Sequence, residues 1–388
     1  MNWNEFYKVV ADHKGRILDL STGSPLLIPE VSHALRKTLK EISSHVNLPE
    51  EFGKYGNYYG IPPLIESFVY RCSKDFNCNL KPEQILVIPG AHVALRFIQE
   101  LVRQNRKRIL YPFNLEYPGA VDYQSTKLPS IGRYLSIKVA KGICRLTLQL
   151  ESFNWKDVGA VIVSRPHNPT GCVLTKKEVE KIASRAAKNK ALLVLDETYA
   201  LPFAPLCIDF LPVHAPNIVH IYSFSKVGLA GERVGIIVSP IEIAQKLQRI
   251  LIDNIIQTPK SSQYLALSLV TLFKKHKRLS TCSKELILKR WVYCKDVLES
   301  SGILNQGIKI AIWQGGGFLW CEWQDSPKSD EVFLTLLKSG IVVVPESCLM
   351  VNNNSSNRVE GIRISLGISL KDLKVGIKTI AQILSKRR

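Results

Sequence analysis

Between residues 85 and 240 the chain carries a series of short apolar runs, several of which do not alternate with polar residues. They are Ile85–Ile88, Arg108–Tyr111, Tyr134–Ile137, Ala160–Val163, Ala191–Leu195, Ile218–Ile221 and Val234–Val238. A strand with one face in water alternates, whereas one that is apolar throughout needs cover on both faces. Helix-like stretches separate the runs. Together they predict an α/β architecture, a mostly parallel seven-stranded sheet with helices packed on it.

After about residue 262 the texture changes. A helical stretch, Gln263 to Ser301, leads to short strands at Gly317–Trp323, Ile341–Val344 and Gly361–Ser365, and an amphipathic helix follows from about Leu370 to Leu384. This predicts a large domain over residues 46–262. A smaller α+β domain is expected over residues 1–45, which include an N-terminal arm, and 263–388. The first part also carries a helical pattern that opens at Ile28 and ends before Phe52.

Composition narrows the class. With 46% apolar and 22% charged residues, the chain has the make-up of a folded globular protein rather than a disordered one. Lys and Arg outnumber Asp and Glu by 52 to 33, a net charge of +19. Such an excess raises the question of a polyanionic partner. The basic residues are spread over helix-like faces, densest at Lys274–Arg278, and no segment is left over for a separate DNA-binding unit. Nucleic acid is therefore not an expected partner. Nine scattered cysteines show no CxxC pair and no zinc-type spacing, so neither a disulfide framework nor a metal is expected. No leader pattern and no run long enough to cross a bilayer is visible, so a cytoplasmic protein without a membrane partner is expected.

The most informative segment is Tyr222–Gly235, where Lys226 stands among Ser223, Ser225, Arg233 and three glycines. Ser223, Ser225 and Arg233 are suited to a dianionic phosphate, the arginine in a bidentate manner. A lysine among cationic or apolar groups has a lowered pKa and can act as an amine nucleophile. Alone, the segment is equally readable as a solvated loop. Upstream, Pro89–Ala94 ends a strand and opens a helix, so Gly90, Ala91 and His92 offer backbone N–H groups to an anion. His92 is expected to be a local contact rather than a base. Asp196 ends the apolar run Leu192–Leu195; a carboxylate there is costly unless paired, although it could also cap the next helix. Ser164–Gly171 contains Asn-Pro-Thr-Gly, which by itself is a turn.

Taken in order, Pro89–Ala94, Ser164–Gly171, Leu192–Tyr199 and Tyr222–Gly235 resemble the motifs of the fold-type-I pyridoxal-phosphate (PLP) aminotransferases of class I and II. The resemblance runs from about residue 20 to 367. It implies the PLP-dependent transferase fold and a homodimer with active sites at the subunit interface. Lys226 would then carry PLP through its amine and move the substrate's α-proton. Asp196 would pair with the ring nitrogen, while Asn168 and Tyr199 would bond the ring oxygen. Tyr117 would stack on the ring, unless it is a buried structural tyrosine. Gly90, Ala91, His92, Ser223, Ser225 and Arg233 would hold the phosphate. Tyr55 would reach the neighbouring subunit's phosphate, with Tyr58 and Tyr59 as competing positions. Gly23, Asn168 and Arg363 would hold the substrate carboxylate; Arg363, in a strand-like stretch, could otherwise face solvent.

Within the family, the residues are most similar to the branch that exchanges amino groups between valine and pyruvate. A transfer between an L-amino acid, valine- or alanine-like, and a 2-oxo acid such as pyruvate is the expected activity. A PLP-dependent β-lyase, decarboxylase or cyclising enzyme is the alternative on the same scaffold, and a nucleic-acid-binding regulator is the alternative of another class.

Overall fold

The structure is a computed structural model that describes residues 1–26, 28–45, 48–324, 326–352 and 359–386. Two sheets organise it. The larger has seven strands, in the spatial order Ile85–Ile88, Gly235–Val238, Ile218–Ser223, Leu192–Asp196, Val158–Ser164, Arg108–Tyr111 and Ser130–Ile131. Every neighbouring pair is parallel except those made by Gly235–Val238, which runs antiparallel to both neighbours.

The unbroken apolar runs have the expected cause. Ile85 and Val87 enter one core cluster while Leu86 and Ile88 enter another, and Val161 and Val163 divide likewise from Ala160 and Ile162. Successive side chains of a strand point to opposite faces, so a sheet covered on both sides has no polar face to declare. The helices Ala91–Gln104, Lys176–Lys188 and Ile241–Asn254 lend buried apolar stripes to this cover. Lys176–Lys188 starts with a capping box between Thr175 and Glu178, which satisfies two otherwise free N–H groups.

One strand lies elsewhere than expected. Tyr134–Ile137 belongs to the longer strand Arg133–Ala140, which pairs antiparallel with Ile143–Gln149 and joins the second sheet. The seventh strand of the large sheet is instead the two-residue Ser130–Ile131. The burial pattern of Arg133–Ala140 explains the difference, because most of the strand is exposed and only part of one face packs. An apolar run alone could not show which sheet it would join.

The second sheet has six strands: Val344–Pro345, Glu360–Ser365, Phe318–Trp323, Lys309–Ala311, Ile143–Gln149 and Arg133–Ala140. It is antiparallel apart from the pair Lys309–Ala311 and Ile143–Gln149. The helices Lys277–Ser300, Ser329–Lys338 and Leu370–Ser385 bury their apolar sides with it. The expected helical stretch after residue 262 is two helices, Lys260–Lys275 and Lys277–Ser300, and the first of them packs on Pro62–Phe76. At the other expected boundary, residues 46 and 47 lie outside the described residues.

The N-terminal region divides. The helix Trp3–Ala11 sets Phe6 against Phe333, and Leu18–Asp19 pairs with Ile341–Val342 beside the second sheet. The helix Pro29–His45 turns the other way, with Ile28 and Val31 in the core beneath Lys260–Lys275. The residues between them, Leu20 to Leu26, cross from one sheet to the other.

Candidate active site

The parallel register brings the carboxyl ends of three strands into line. Ser164 pairs with Asp196 and Asp196 with Ile221, two residues before the strand's end at Ser223, which pairs antiparallel with Gly235. A cavity of about 180 Å³ opens at this edge, the usual place for a ligand in an open α/β sheet. Ala91, His92, Tyr117, Asn168, Asp196, Tyr199, Ser223, Ser225, Lys226 and Arg233 all line it.

At one end the helix Ala91–Gln104 points its N-terminus into the cavity with no side-chain cap. Its first N–H groups are therefore free to receive an anion. Gly90 precedes it with φ +87°, and a Cβ there would stand 2.4 Å from Arg233 Nη2. Only glycine allows this approach. Arg233 itself holds a left-handed φ of 52° and donates to Ser225 Oγ at 3.3 Å. His92 and Arg233 are exposed, so this end is open to solvent in a single protomer. Burial, with Arg96 and Arg233 nearby, lowers the His92 pKa, and its ring meets the Tyr117 hydroxyl at 3.2 Å.

Lys226 lies at the centre, half-buried, and donates to the Gly23 carbonyl at 2.6 Å. Burial pulls its pKa down to about 8, helped by Arg363 and Arg233 and opposed by Asp196. Asp196 is 5% exposed; its Oδ1 accepts both the backbone and the hydroxyl of Thr198, at 3.1 and 2.6 Å. Burial pushes its carboxyl upward despite those bonds. No hydrogen bond reaches Oδ2 from the described residues. Burial also raises the Tyr199 phenol, which keeps its proton and stays a donor.

The opposite wall comes from distant parts of the chain. Arg363 donates from Nη1 to Asn168 Oδ1 at 3.0 Å and from Nη2 to the Ser21 carbonyl at 2.7 Å, while its Nε has no partner among the described residues. Phe318 covers the guanidinium at 4.1 Å and meets the Tyr199 ring edge-on at 6.0 Å. A Cβ on Gly23 would lie 3.3 Å from Lys226 Nζ and 3.4 Å from Phe318. Gly23 and Arg363 thus join the cluster. Tyr55 does not: it is 72% exposed and lies away from its own protomer's cavity.

These residues suit PLP. A lysine with a lowered pKa, a buried carboxylate with a spare oxygen, and a glycine-floored helix end with two serines and an arginine answer the cofactor's aldehyde, ring nitrogen and phosphate in turn. Among the described residues no cluster of His, Cys, Asp or Glu is arranged to hold a metal.

Several supporting residues carried no signal in the sequence. Glu116 is buried behind Tyr117 and accepts from Ser164 Oγ at 2.5 Å. Glu197, next to Asp196, points the opposite way and meets His220 Nδ1 at 2.9 Å and Arg165 Nη1 at 3.5 Å, all three fully buried. Glutamates are mostly exposed, so nothing in composition marks these two. Arg165 and Glu197 do lie inside the motifs Ser164–Gly171 and Leu192–Tyr199, which is the one available hint.

The fold and this cavity define an enzyme of amino-group transfer. The chain belongs to the class I and II aminotransferases, whose family model matches residues 16–380, and members of this family work with PLP. More particularly, it is 25% identical to the valine–pyruvate aminotransferase of Escherichia coli over 340 residues, 84% of this chain and 80% of that protein. It is 23% identical to an aspartate aminotransferase of Pyrococcus abyssi, covering 86% of this chain and 85% of that one. In structure it is similar to valine–pyruvate aminotransferase from Salmonella typhimurium, with a TM-score of 0.86 at 20% identity over 98% of both chains. The aspartate aminotransferase of Thermotoga maritima gives 0.77 at 19% identity, over 98% of this chain and 95% of that one.

Proposed function

We propose that this aminotransferase takes its amino group from an uncharged aliphatic L-amino acid, valine- or alanine-like, and passes it to a 2-oxo acid such as pyruvate. The observation that carries this is the wall beside Lys226: Arg363 lies under Phe318, which itself packs on Tyr199. The arginine suits one carboxylate. The rings beside it suit an apolar side chain and would leave a second carboxylate without a hydrogen-bond partner. Similarity to valine–pyruvate aminotransferases agrees with the assignment.

In this reading Lys226 would hold PLP through the cofactor's aldehyde. Asp196 would accept a hydrogen bond from the ring N–H and keep that nitrogen protonated, Asn168 and Tyr199 would donate to the ring oxygen, and Tyr117 would cover a ring face. Gly90, Ala91, His92, Ser223, Ser225 and Arg233 would hold the phosphate. PLP supplies an electron sink for the charge left when the α-proton departs. Arg363 and Asn168 fix the substrate carboxylate beside Gly23, which orients the α-C–H bond toward Lys226. The Lys226 amine, in its neutral form, would take that proton at Nζ as general base.

Tyr55 of one protomer serves its partner's phosphate end, which makes the working form a homodimer. Its exposure and the open phosphate end support this. A fully active monomer at assay concentration would refute it. Nine free thiols suit a reducing compartment such as the cytoplasm, and no helix among the described residues is long and apolar enough to cross a membrane.

The test is a panel of amino acids in single turnover without an acceptor, read as oxo acid formed. Alanine and valine are expected to convert fastest. Preference for aspartate overturns the substrate class. Ammonia and pyruvate released catalytically from a cysteine-type substrate, with no 2-oxo acid required, overturns transfer as the reaction.

A further inference from the structure

Glu116 sits where three segments of the site meet. Its Oε1 accepts from Ser164 Oγ at 2.5 Å and from Tyr117 N at 2.8 Å, and its Oε2 accepts from Ser164 N at 3.1 Å. The Ser164 hydroxyl, its own proton committed to Glu116, accepts from Asn168 N at 2.9 Å. Asn168 then accepts from Arg363. The backbone of Glu116 donates to Leu349 at 2.9 Å, beside the isolated bridge Leu115–Met350, which ties this corner to the second sheet.

We propose that Glu116 is a positioning residue: through the Ser164 hydroxyl and the Tyr117 amide it sets where Asn168 and Tyr117 stand against the cofactor. This rests on the roles given above to Lys226, Asn168 and Tyr117.

Stability alone gives no reason for a carboxyl here. Glu116 is 1% exposed, and burial drives its pKa up to about 8 even though hydrogen bonds from Ser164 and Tyr117 oppose the rise. A packed apolar side chain in place of a buried ionisable group is often neutral or better for stability. An apolar residue, however, cannot gather three donors, two from the strand end at Ser164 and one from the Tyr117 amide. His167, the nearest imidazole at 3.8 Å, does not share the task. Its Nε2–H is directed to the Leu115 carbonyl at 3.0 Å and its Nδ1 faces the Thr170 hydroxyl at 2.7 Å, and burial takes its pKa down to about 3.

The consequence is a spectroscopic one. A donor on the cofactor's ring oxygen draws charge from it and competes with the proton held at the lysine linkage. If Asn168 drifts, that proton is held more firmly and the pH midpoint of the visible absorbance moves up.

The experiment titrates the absorbance of the PLP-loaded enzyme in Glu116→Gln, Ser164→Ala and the double variant, with Phe113→Leu as a control. Phe113 stacks on His167 at 4.0 Å in the same corner but belongs to no step of the chain from Glu116 to Asn168. Both single variants are expected to raise the midpoint by about 0.5 pH unit or more. The double variant should add little beyond the larger single effect, because the two act in series. Phe113→Leu should lower Tm and leave the midpoint in place.

Unmoved midpoints in variants that load PLP overturn the inference, and so does an equal shift in the control. If Glu116→Gln does not fold, Ser164→Ala decides by itself. A wild-type enzyme whose absorbance matches that of Lys226→Ala would instead overturn the assignment of Lys226, a separate failure.

Discussion

The two walls of the cavity are built by different means. On the sheet side, Ser164, Asp196 and Ser223 are strand ends, and the ladder that aligns them is the same ladder that holds the large core. On the other side, Gly23 comes from the N-terminal crossing segment and Arg363 from a strand of the second sheet, joined by side-chain bonds to backbone and amide. A wall set by register is as rigid as its sheet. A wall closed by a few hydrogen bonds between distant segments can open and close with little loss of core packing. That contrast fits the work proposed for each: one to hold a resident cofactor, the other to admit substrates and let them leave.

The contrast can be broken most severely at Lys226, where the walls meet. Lys226→Ala should lower transfer activity by about 10³-fold or more, since nucleophile and proton carrier are lost together. The absorbance of lysine-linked PLP should vanish with it. Retention of that absorbance in the variant would show that another amine carries the cofactor.

Arg363→Ala attacks the substrate wall alone. Charge-assisted bonds of this kind contribute about 3 kcal/mol, so kcat/KM for amino and oxo acids should fall roughly a hundredfold, mostly through KM. PLP affinity should hold. An equal loss of PLP affinity would mean that the two walls are one structural unit.

The smallest effect is one of pH. With its pKa lowered to about 8, the Lys226 amine of the apo-enzyme is mostly protonated at pH 6 and mostly neutral at pH 9. Only the neutral amine attacks an aldehyde, so the rate of PLP capture should rise about tenfold per unit below the midpoint and level off above it. A midpoint near the ordinary lysine value would show that the sheet wall does not desolvate the amine as described.

Much of the sheet wall was legible in the sequence. Apolar runs marked its strands, and glycine, serine, aspartate and lysine at strand ends marked its chemistry. Arg363 and Gly23 needed the resemblance, because nothing local to either residue says that the two lie within reach of one lysine. Glu116 and Glu197 stayed hidden for a physical reason. A buried carboxylate looks like an exposed one until its partners are known, and those partners, Ser164 for one and Arg165 with His220 for the other, come from other strands and loops. The Tyr134 strand misled for the opposite reason: its apolar residues are real, but sheet membership is decided by contacts with Ile143–Gln149 and not by hydropathy.

Asp196 and Glu197 are consecutive, and they face opposite sides of the sheet edge, one toward Lys226 and the other toward Arg165 and His220. In evolutionary terms this makes the stretch tolerant of substitution and intolerant of insertion. Its leucines and valines can drift among apolar types of similar volume. A single residue gained upstream would bring Leu195 to the place of Asp196 and leave Arg165 an aspartate too short to meet it, and a single residue lost would bring Glu197 to the site and leave Arg165 facing Thr198.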